Sequence, residues 1–395
     1  MTAPTYTARV AFVNSPFDAS PTWVDLSTSM MSFSIRRGRQ WELNRMETGT
    51  AVVTLLNLAG DFWPTKAAGT YYPNVKPWKR INVQATYGGT TYDLYTGFVE
   101  SWQPGFLTRP IKGPTMTLSC SDLIKNLSNL LLNDAGGYAS EKTGARVGHV
   151  LDTLGWPAGS RTIDTGQTTL QATGALVNVG AMDHLFTVED TELGIIFIAP
   201  DGKVVFQDRH GRLFSPFTVS QGTFGDDLGA GDLPYTDISP EYGDTRIYND
   251  IRVTRLSGTE QVATDATSAT AYGKRGLSRP SLLMTTDVEA LAQAQYLLNR
   301  YKQPAMRIKQ IELQPDPAHE AALYAAMLGF DISTRVKVKL AAATLNSDYH
   351  IEGINHDWNR DKPGVLTTKW MLADALNQGS WIWDSALWDT DTWAY

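Results

Sequence analysis

A chain of 395 residues has room for two or three domains with full cores. Its 12 Trp, 16 Tyr and 33 Gly suit a β-rich protein with many turns, and a formal net charge of -7 argues against a nucleic-acid binder that works by neutralising phosphates. The single cysteine, Cys120, excludes an internal disulfide framework and fits a reducing compartment; with no basic-then-apolar N-terminus and no long apolar run, neither a signal peptide nor a membrane span is expected.

Residues 1–132 read as a first antiparallel β-domain. Tyr6, Ala8, Val10 and Phe12 alternate, then Met31, Phe33 and Ile35, then Val52, Thr54 and Leu56, the period of two that marks a strand with one buried face. Arg36-Arg37-Gly38-Arg39 reads most simply as charge at a strand end facing water, because no further basic stripe accompanies it. The aromatic, proline-rich loop between Asp61 and Trp78 reads as a packed cover over one end of the domain. Arg80–Tyr87 alternates again and Gly88-Gly89 accepts the positive φ of a tight turn; the return strand ends Gly97-Phe98-Val99-Glu100-Ser101-Trp102. Met116, Leu118 and Cys120 predict the next strand, and Leu123, Leu127 and Leu130 a short helix.

Residues 133–219 read as a small α/β insertion. Val147, Val150, Leu151 and Leu154 lie on one helix face with Gly155 as its stop, and a second helix is predicted over 181–192. Ile195–Ala199 and Lys203–Gln207 read as a hairpin about Pro200-Asp201-Gly202. The Gly/Asp-rich stretch 220–236 reads as a flexible linker; it lacks the spacing of an EF-hand loop, which argues against calcium. Residues 237–376 read as a second β-domain with helices. In it, Thr286 and Glu289 make a capping box for a helix with the apolar stripe Val288, Leu291, Ala294, Leu298 and Tyr301. A slip of phase between Ile308 and Ile311 predicts a bulge near Gln310, and Asp316-Pro317 a start for one more helix ending at Gly329.

Part of the first domain recurs. Arg335–Leu340 alternates like Arg80–Tyr87, a polar turn is predicted at Asn346-Ser347-Asp348, and the return strand carries Gly353-Ile354-Asn355-His356-Asp357-Trp358. Glycine, a large apolar residue and tryptophan keep one spacing in both copies, and each is followed by another alternating strand and an aspartate, Asp122 or Asp374. The pattern predicts internal duplication: two related antiparallel β-domains, one near each end, flanking the insertion. The expected class is therefore β-rich α+β.

Little in the sequence points to catalysis. His319-Glu320-Ala321-Ala322-Leu323 starts like a zinc-protease motif but has Leu323 where the second histidine belongs. His149 with Asp152, and Asp208 with His210, share a face but have no third partner nearby, so solvated or core-satisfied histidines are the simpler reading. Glu189, Asp190 and Glu192 read as the polar face of a helix, and Cys120 as a small buried apolar residue. No nucleophile elbow, phosphate-binding loop or dinucleotide fingerprint occurs, so no catalytic residue, cofactor or metal ligand is assigned. A glycosidase needs only two well-placed carboxylates, which sequence does not exclude.

Tyr248-Asn249-Asp250-Ile251-Arg252-Val253-Thr254-Arg255, Asp265-Ala266-Thr267-Ser268, Tyr272-Gly273-Lys274-Arg275 and the helix running to Tyr301 and Pro304 resemble minor tail proteins and tail-tip hub proteins of siphophages. So do Trp41, Gly49-Thr50-Ala51 and Asp61-Phe62. The resemblance covers most of the chain in order, on motifs that are structural and loosely defined. It implies a baseplate-type hub: two β-barrel domains per chain and a homotrimeric ring with a pseudo-sixfold face. Such a hub sits in the virion at the tail tip, after synthesis in the host cytoplasm. The partners it implies are the tail tube or distal tail protein, other tail-tip proteins and a tape-measure protein, with DNA passing through the lumen without sequence recognition. A tail-associated cell-wall hydrolase and a carbohydrate-binding adhesin are the alternatives.

The tail 377–395 holds Trp381, Trp383, Trp388 and Trp393, whose apolar area is costly to leave in water. It either folds back on the chain's own second domain or lies across a neighbouring chain or tail-tip protein. The second is favoured, with the four tryptophans as interface anchors.

Overall fold

The computed structural model describes residues 3–107, 113–315, 319–361 and 366–375. In the first part the alternating stretches become β1 (Thr5–Val10), β2 (Val24–Asp25), β3 (Met30–Gly38), β4 (Glu47–Leu56), β5 (Arg80–Tyr87), β6 (Thr90–Leu107) and β7 (Gly113–Ser121). Gly88 and Gly89 take φ of +57° and +82° and close the β5–β6 hairpin, as their lack of a Cβ allows. β4 departs from expectation by one residue of phase. Ala51, Val53 and Leu55 are buried while Val52 faces outward, so the core is read by the small and branched residues of the other face.

α1 (Leu123–Asn129), at the end of the first domain as expected, packs into the core of residues 133–219, which supply α2 (Thr143–Thr153), α3 (Ala181–Glu192) and the hairpin β8 (Ile195–Ile198) and β9 (Val204–Gln207). Leu193 takes the left-handed conformation that ends α3, at φ +54°. The stretch expected as a flexible linker is fastened down. Within it β10 (Thr223–Phe224) pairs in parallel with β16 (Arg335–Leu340), Asp232 binds Lys339 at 2.7 Å, and Asp226 accepts from the Ala341 amide.

Further along lie β11 (Asp237–Glu241), β12 (Asp250–Arg255), β13 (Gln261–Thr264), α4 (Ala266–Tyr272), β14 (Gly276–Leu282), α5 (Asp287–Tyr301), β15 (Arg307–Leu313) and α6 (Glu320–Gly329). After β16 come β17 (Leu345–Asn359) and β18 (Leu366–Asp374). Thr286 caps α5 by accepting from the Glu289 amide, but the Glu289 carboxylate turns to the Thr168 hydroxyl. α5 buries Ala290, Gln293, Ala294, Leu297, Leu298 and Tyr301, whereas Val288, expected in its stripe, is 77% exposed in the first turn. The bulge in β15 is present, opposite Ser239 and Pro240. Asp316 and Pro317 lie outside the described residues.

The second hairpin turns earlier than expected. Ala341–Ala343 form a single 3-10 turn and Thr344 takes φ +49°, so Asn346, Ser347 and Asp348 are already paired with Lys339, Val338 and Lys337. The polar residues belong to the strand because Asp348 is held across it by Arg335 at 2.6 Å.

One sheet of 13 strands runs through the molecule in the order β11-β15-β18-β17-β3-β4-β7-β6-β5-β1-β2, with β16 and β10 branching from β17. Every pairing in it is antiparallel except β10–β16. The two meanders β5–β6–β7 and β16–β17–β18 share a form: a long middle strand paired on both sides and bulged at one glutamate, Glu100 or Glu352. The sheet buries one continuous core holding Tyr6, Phe33 and Val53 together with Ile311, Ile354 and Trp370. A second core (Val147, Leu151, Leu185, Val188, Ile196, Phe206) fills the insertion. A third (Ile251, Val253, Ala294, Leu297) lies between α5 and a small mixed sheet of β12, β13 and β14. Among the described residues no helix is long and apolar enough to cross a membrane.

Candidate functional site

The three cores meet at a cavity of about 380 Å³ whose walls come from the turn after β3, the end of α3, the loop after β9, α5 and the end of β18. Gly38 shapes it. At φ +94° it faces Gly353 across the β3–β17 pair, and a Cβ there would stand 2.3 Å from the Glu352 carbonyl oxygen. Gly38→Ala is therefore expected to destabilise by about 2–3 kcal/mol through strain and overpacking, read as a lower denaturant midpoint.

The turn at Gly38 sends Arg39 inward. Its Nε donates to Glu352 Oε2 at 2.7 Å and its Nη1 to the Asn44 carbonyl at 3.0 Å, while Arg212 Nη1 binds the other Glu352 oxygen. Glu352 is wholly buried. Burial alone would raise its pKa, but the guanidiniums of Arg212 and Arg39 overcome it and hold the carboxyl at about 2. Close by, Glu42 accepts from Arg300 and from the Tyr301 hydroxyl, each at 2.6 Å. Asp190 joins Arg279 at 2.8 Å and Arg45 at 3.2 Å. Paired this way, Glu352 and Glu42 have their oxygens taken by donors and hold the cores together; neither is placed as a nucleophile or a general base.

Two other groups at the cavity wall are less committed. His350 Nδ1 lies 2.9 Å from the Ser333 carbonyl, which accepts, so Nδ1 carries the proton and Nε2 is an acceptor. Burial and then Arg212 push its pKa down to about 3, which keeps the ring neutral. Glu189 accepts from the Ile196 amide at 3.1 Å, and burial raises its pKa to about 7 against the pull of Arg39.

Several expectations change here. Arg37 and Arg39 are buried, Arg37 bound to Asp331 at 2.6 Å; of that cluster Arg36 alone faces water, beside Glu47. Glu189 and Glu192 are also buried rather than on a solvated face. Glu192 accepts from the Thr143 hydroxyl and the Thr168 amide, which ties the insertion together. His149 pairs with Glu141 and Asp152 with Arg161, so that face splits between two partners. Asp208 accepts from Gln167 and from the amide of His210. Cys120 is buried in the sheet core, where burial raises its thiol pKa. His356 is buried with Nδ1 2.9 Å from the Thr368 hydroxyl. Asp122 and Asp374, the two aspartates of the repeat, differ in role: one caps α1, the other binds Arg307. Among the described residues no group of three or more His, Cys, Asp or Glu is placed to hold a metal ion. Trp381, Trp383, Trp388 and Trp393 lie outside the described residues.

The fold as a whole is similar to that of solved phage tail proteins. The chain is similar to the 43 kDa tail protein of prophage MuSo2 from Shewanella oneidensis, with a TM-score of 0.58 at 13% identity over 94% of this chain and 98% of that one. It is similar to the tail protein from Neisseria meningitidis MC58 (TM-score 0.58, 12% identity, 98% and 100% covered). It is also similar to the prophage tail protein gp18 from Listeria monocytogenes EGD-e (TM-score 0.50, 10% identity, 93% and 95% covered). No protein-family model and no curated protein sequence matches the chain.

Proposed function

We propose that this chain is a structural, non-enzymatic component of a phage tail, the hub at the distal end of the tail tube. Three copies form a ring there, and the ring joins the tube or distal tail protein to the remaining tail-tip proteins. The observation that carries this reading is the end-to-end likeness of fold to phage tail proteins, 94% of this chain against 98% of the solved one. The repeated meander supports it. In this reading the two meanders, joined in one sheet, stand for two related barrel-like units per chain, and in three chains they give six quasi-equivalent positions, which lets a threefold ring meet a sixfold tube. In this reading DNA passes through the lumen without recognition. The lumen is neutral to acidic, in keeping with a net charge of -7, because a basic lining would hold phosphates by counterion release.

Native mass measurement of the purified full chain tests the stoichiometry. The expected species is a trimer, three times 43.5 kDa. A stable assembly of one, two or six chains would overturn the ring.

A further inference from the structure

We propose that each chain of the ring seats the tip of its β16–β17 hairpin, with the adjoining Asp226-Asp227-Leu228 turn, on the loop 57–79 of the next copy of this chain. The proposal rests on the ring reading and names the two surfaces that meet.

The repeat supplies the first argument. In the first meander the hairpin end packs on the segment that precedes the second meander. The Tyr87 ring lies 4.8 Å from that of Tyr324 in α6, and Gly329, at the end of α6, lies against the Tyr92 ring. The equivalent end of the second meander is the β16–β17 turn, where Ala341, Ala342 and Thr344 are exposed. The equivalent of α6, the segment that precedes the first meander, is loop 57–79. These two lie at opposite ends of β17. The turn adjoins Leu345; the loop leaves β4 near the other end, where Asn359 pairs with Ser32 and the Leu56 amide donates to the Ser29 carbonyl at 2.7 Å. The strand between them is 15 residues long, on the order of 50 Å. A contact between opposite ends of a molecule is heterologous, the kind that closes a cyclic ring. Repeating the intrachain contact between chains gives six alike contacts, three within chains and three between them.

The two surfaces are also complementary in charge and shape. Beside the loop, Lys79 donates to the Asn14 carbonyl at 3.1 Å and Phe12 stacks on Tyr71 at 4.3 Å, so residues 12–14 belong to the same surface. There Lys66, Lys76, Lys79 and Arg80 outnumber Asp18 and Asp61, and each aspartate is held within its own loop, by Asn14 and by Thr70. Val13, Trp63 and Tyr72 are exposed between the charges, at 69%, 37% and 45%. At the turn the balance is reversed, since Asp226, Asp227 and Asp232 outnumber Lys339. Asp226 fixes the turn to the hairpin tip by accepting from the Ala341 amide at 3.0 Å. Leu228 stands out beside it, 45% exposed. A leucine flanked by carboxylates thus faces aromatics flanked by lysines, apolar contact at the centre and opposite charges at the rim.

The test is native mass measurement of the purified full chain over a dilution series. One variant reverses the loop, Lys66→Glu with Lys76→Glu; a second reverses the turn, Asp226→Lys with Asp227→Lys; a third carries all four substitutions. Each reversal alone should raise the concentration at which the trimer dissociates at least about tenfold, and the combined chain, its charges opposite again at every contact, should recover most of the loss. Asp227→Lys alone leaves the Asp226 bond to Ala341 in place and should act in the same direction with an unchanged thermal midpoint. A trimer indifferent to both reversals, or losses that add in the combined chain, would overturn the proposal and leave the ring standing. A natural chain that forms no trimer would overturn the ring and the proposal together.

Discussion

Replacing Glu352 with glutamine is expected to lower stability by about 3–5 kcal/mol, because it leaves Arg39 and Arg212 buried without their shared counter-charge. The carboxylate sits at the bulge of β17, where the sheet core, the insertion and the third core converge, so few ways of relaxing are open to it. Equilibrium denaturation at pH 7 measures the effect; a loss under about 1 kcal/mol would show that the triad is not what joins the cores.

The same residue sets a pH dependence with a definite sign. The Glu352 pKa falls from 4.5 to about 2 on folding, so its contribution is present above about pH 4.5 and is lost as pH falls through about 2. At 1.36 kcal/mol per pKa unit that amounts to about 3 kcal/mol. His350 and His356, both lowered to about 3 from 6.5, add losses over the window from pH 6.5 down to 3. Asp122 and Glu189, both raised to about 7, oppose this trend, since their contribution declines as pH rises from about 4 through 7. Between about pH 6.5 and 4 the two pairs largely offset each other, so stability should decline steeply only below about pH 4.5, and in the Glu352→Gln protein that part of the slope should be markedly reduced.

Trp370→Ala is the second large effect. Trp370 is fully buried in β18, stacked on Phe330 at 5.8 Å and edge-on to Phe224 at 5.2 Å, so truncation leaves a cavity lined by aromatic side chains. A loss of about 3–5 kcal/mol is expected, with Trp370→Phe recovering much of it. Phe224 belongs to the Gly/Asp-rich stretch, so the substitution should also loosen residues 220–236 in hydrogen exchange. Unchanged protection there would contradict their place in the core.

The strands were legible because their alternation survives one-sided burial: Ile81, Val83 and Ala85 all face the core as the pattern required. β4 was misread because both of its phases hold β-favouring residues, and only pairing with β3 and β7 selects the face of Val53. The charged junction was not legible. Arg39 looked like a surface arginine, and Glu352 lies between Ile351 and Gly353 with nothing local to name partners at positions 39 and 212. Its one trace is a carboxylate set between Ile351 and Gly353-Ile354, which costs too much to bury unpaired. The insertion's acids were misjudged similarly, since helical spacing gives Glu192 a face but not the buried Thr143 that faces it.

The most direct test of the account is electron microscopy of assembled particles carrying an antibody-fragment label on this chain. The hub reading predicts label at the distal end of the tail tube and nowhere else, with three copies per tail arranged in a ring. Label along the tube or on the capsid, or a copy number other than three, would contradict it.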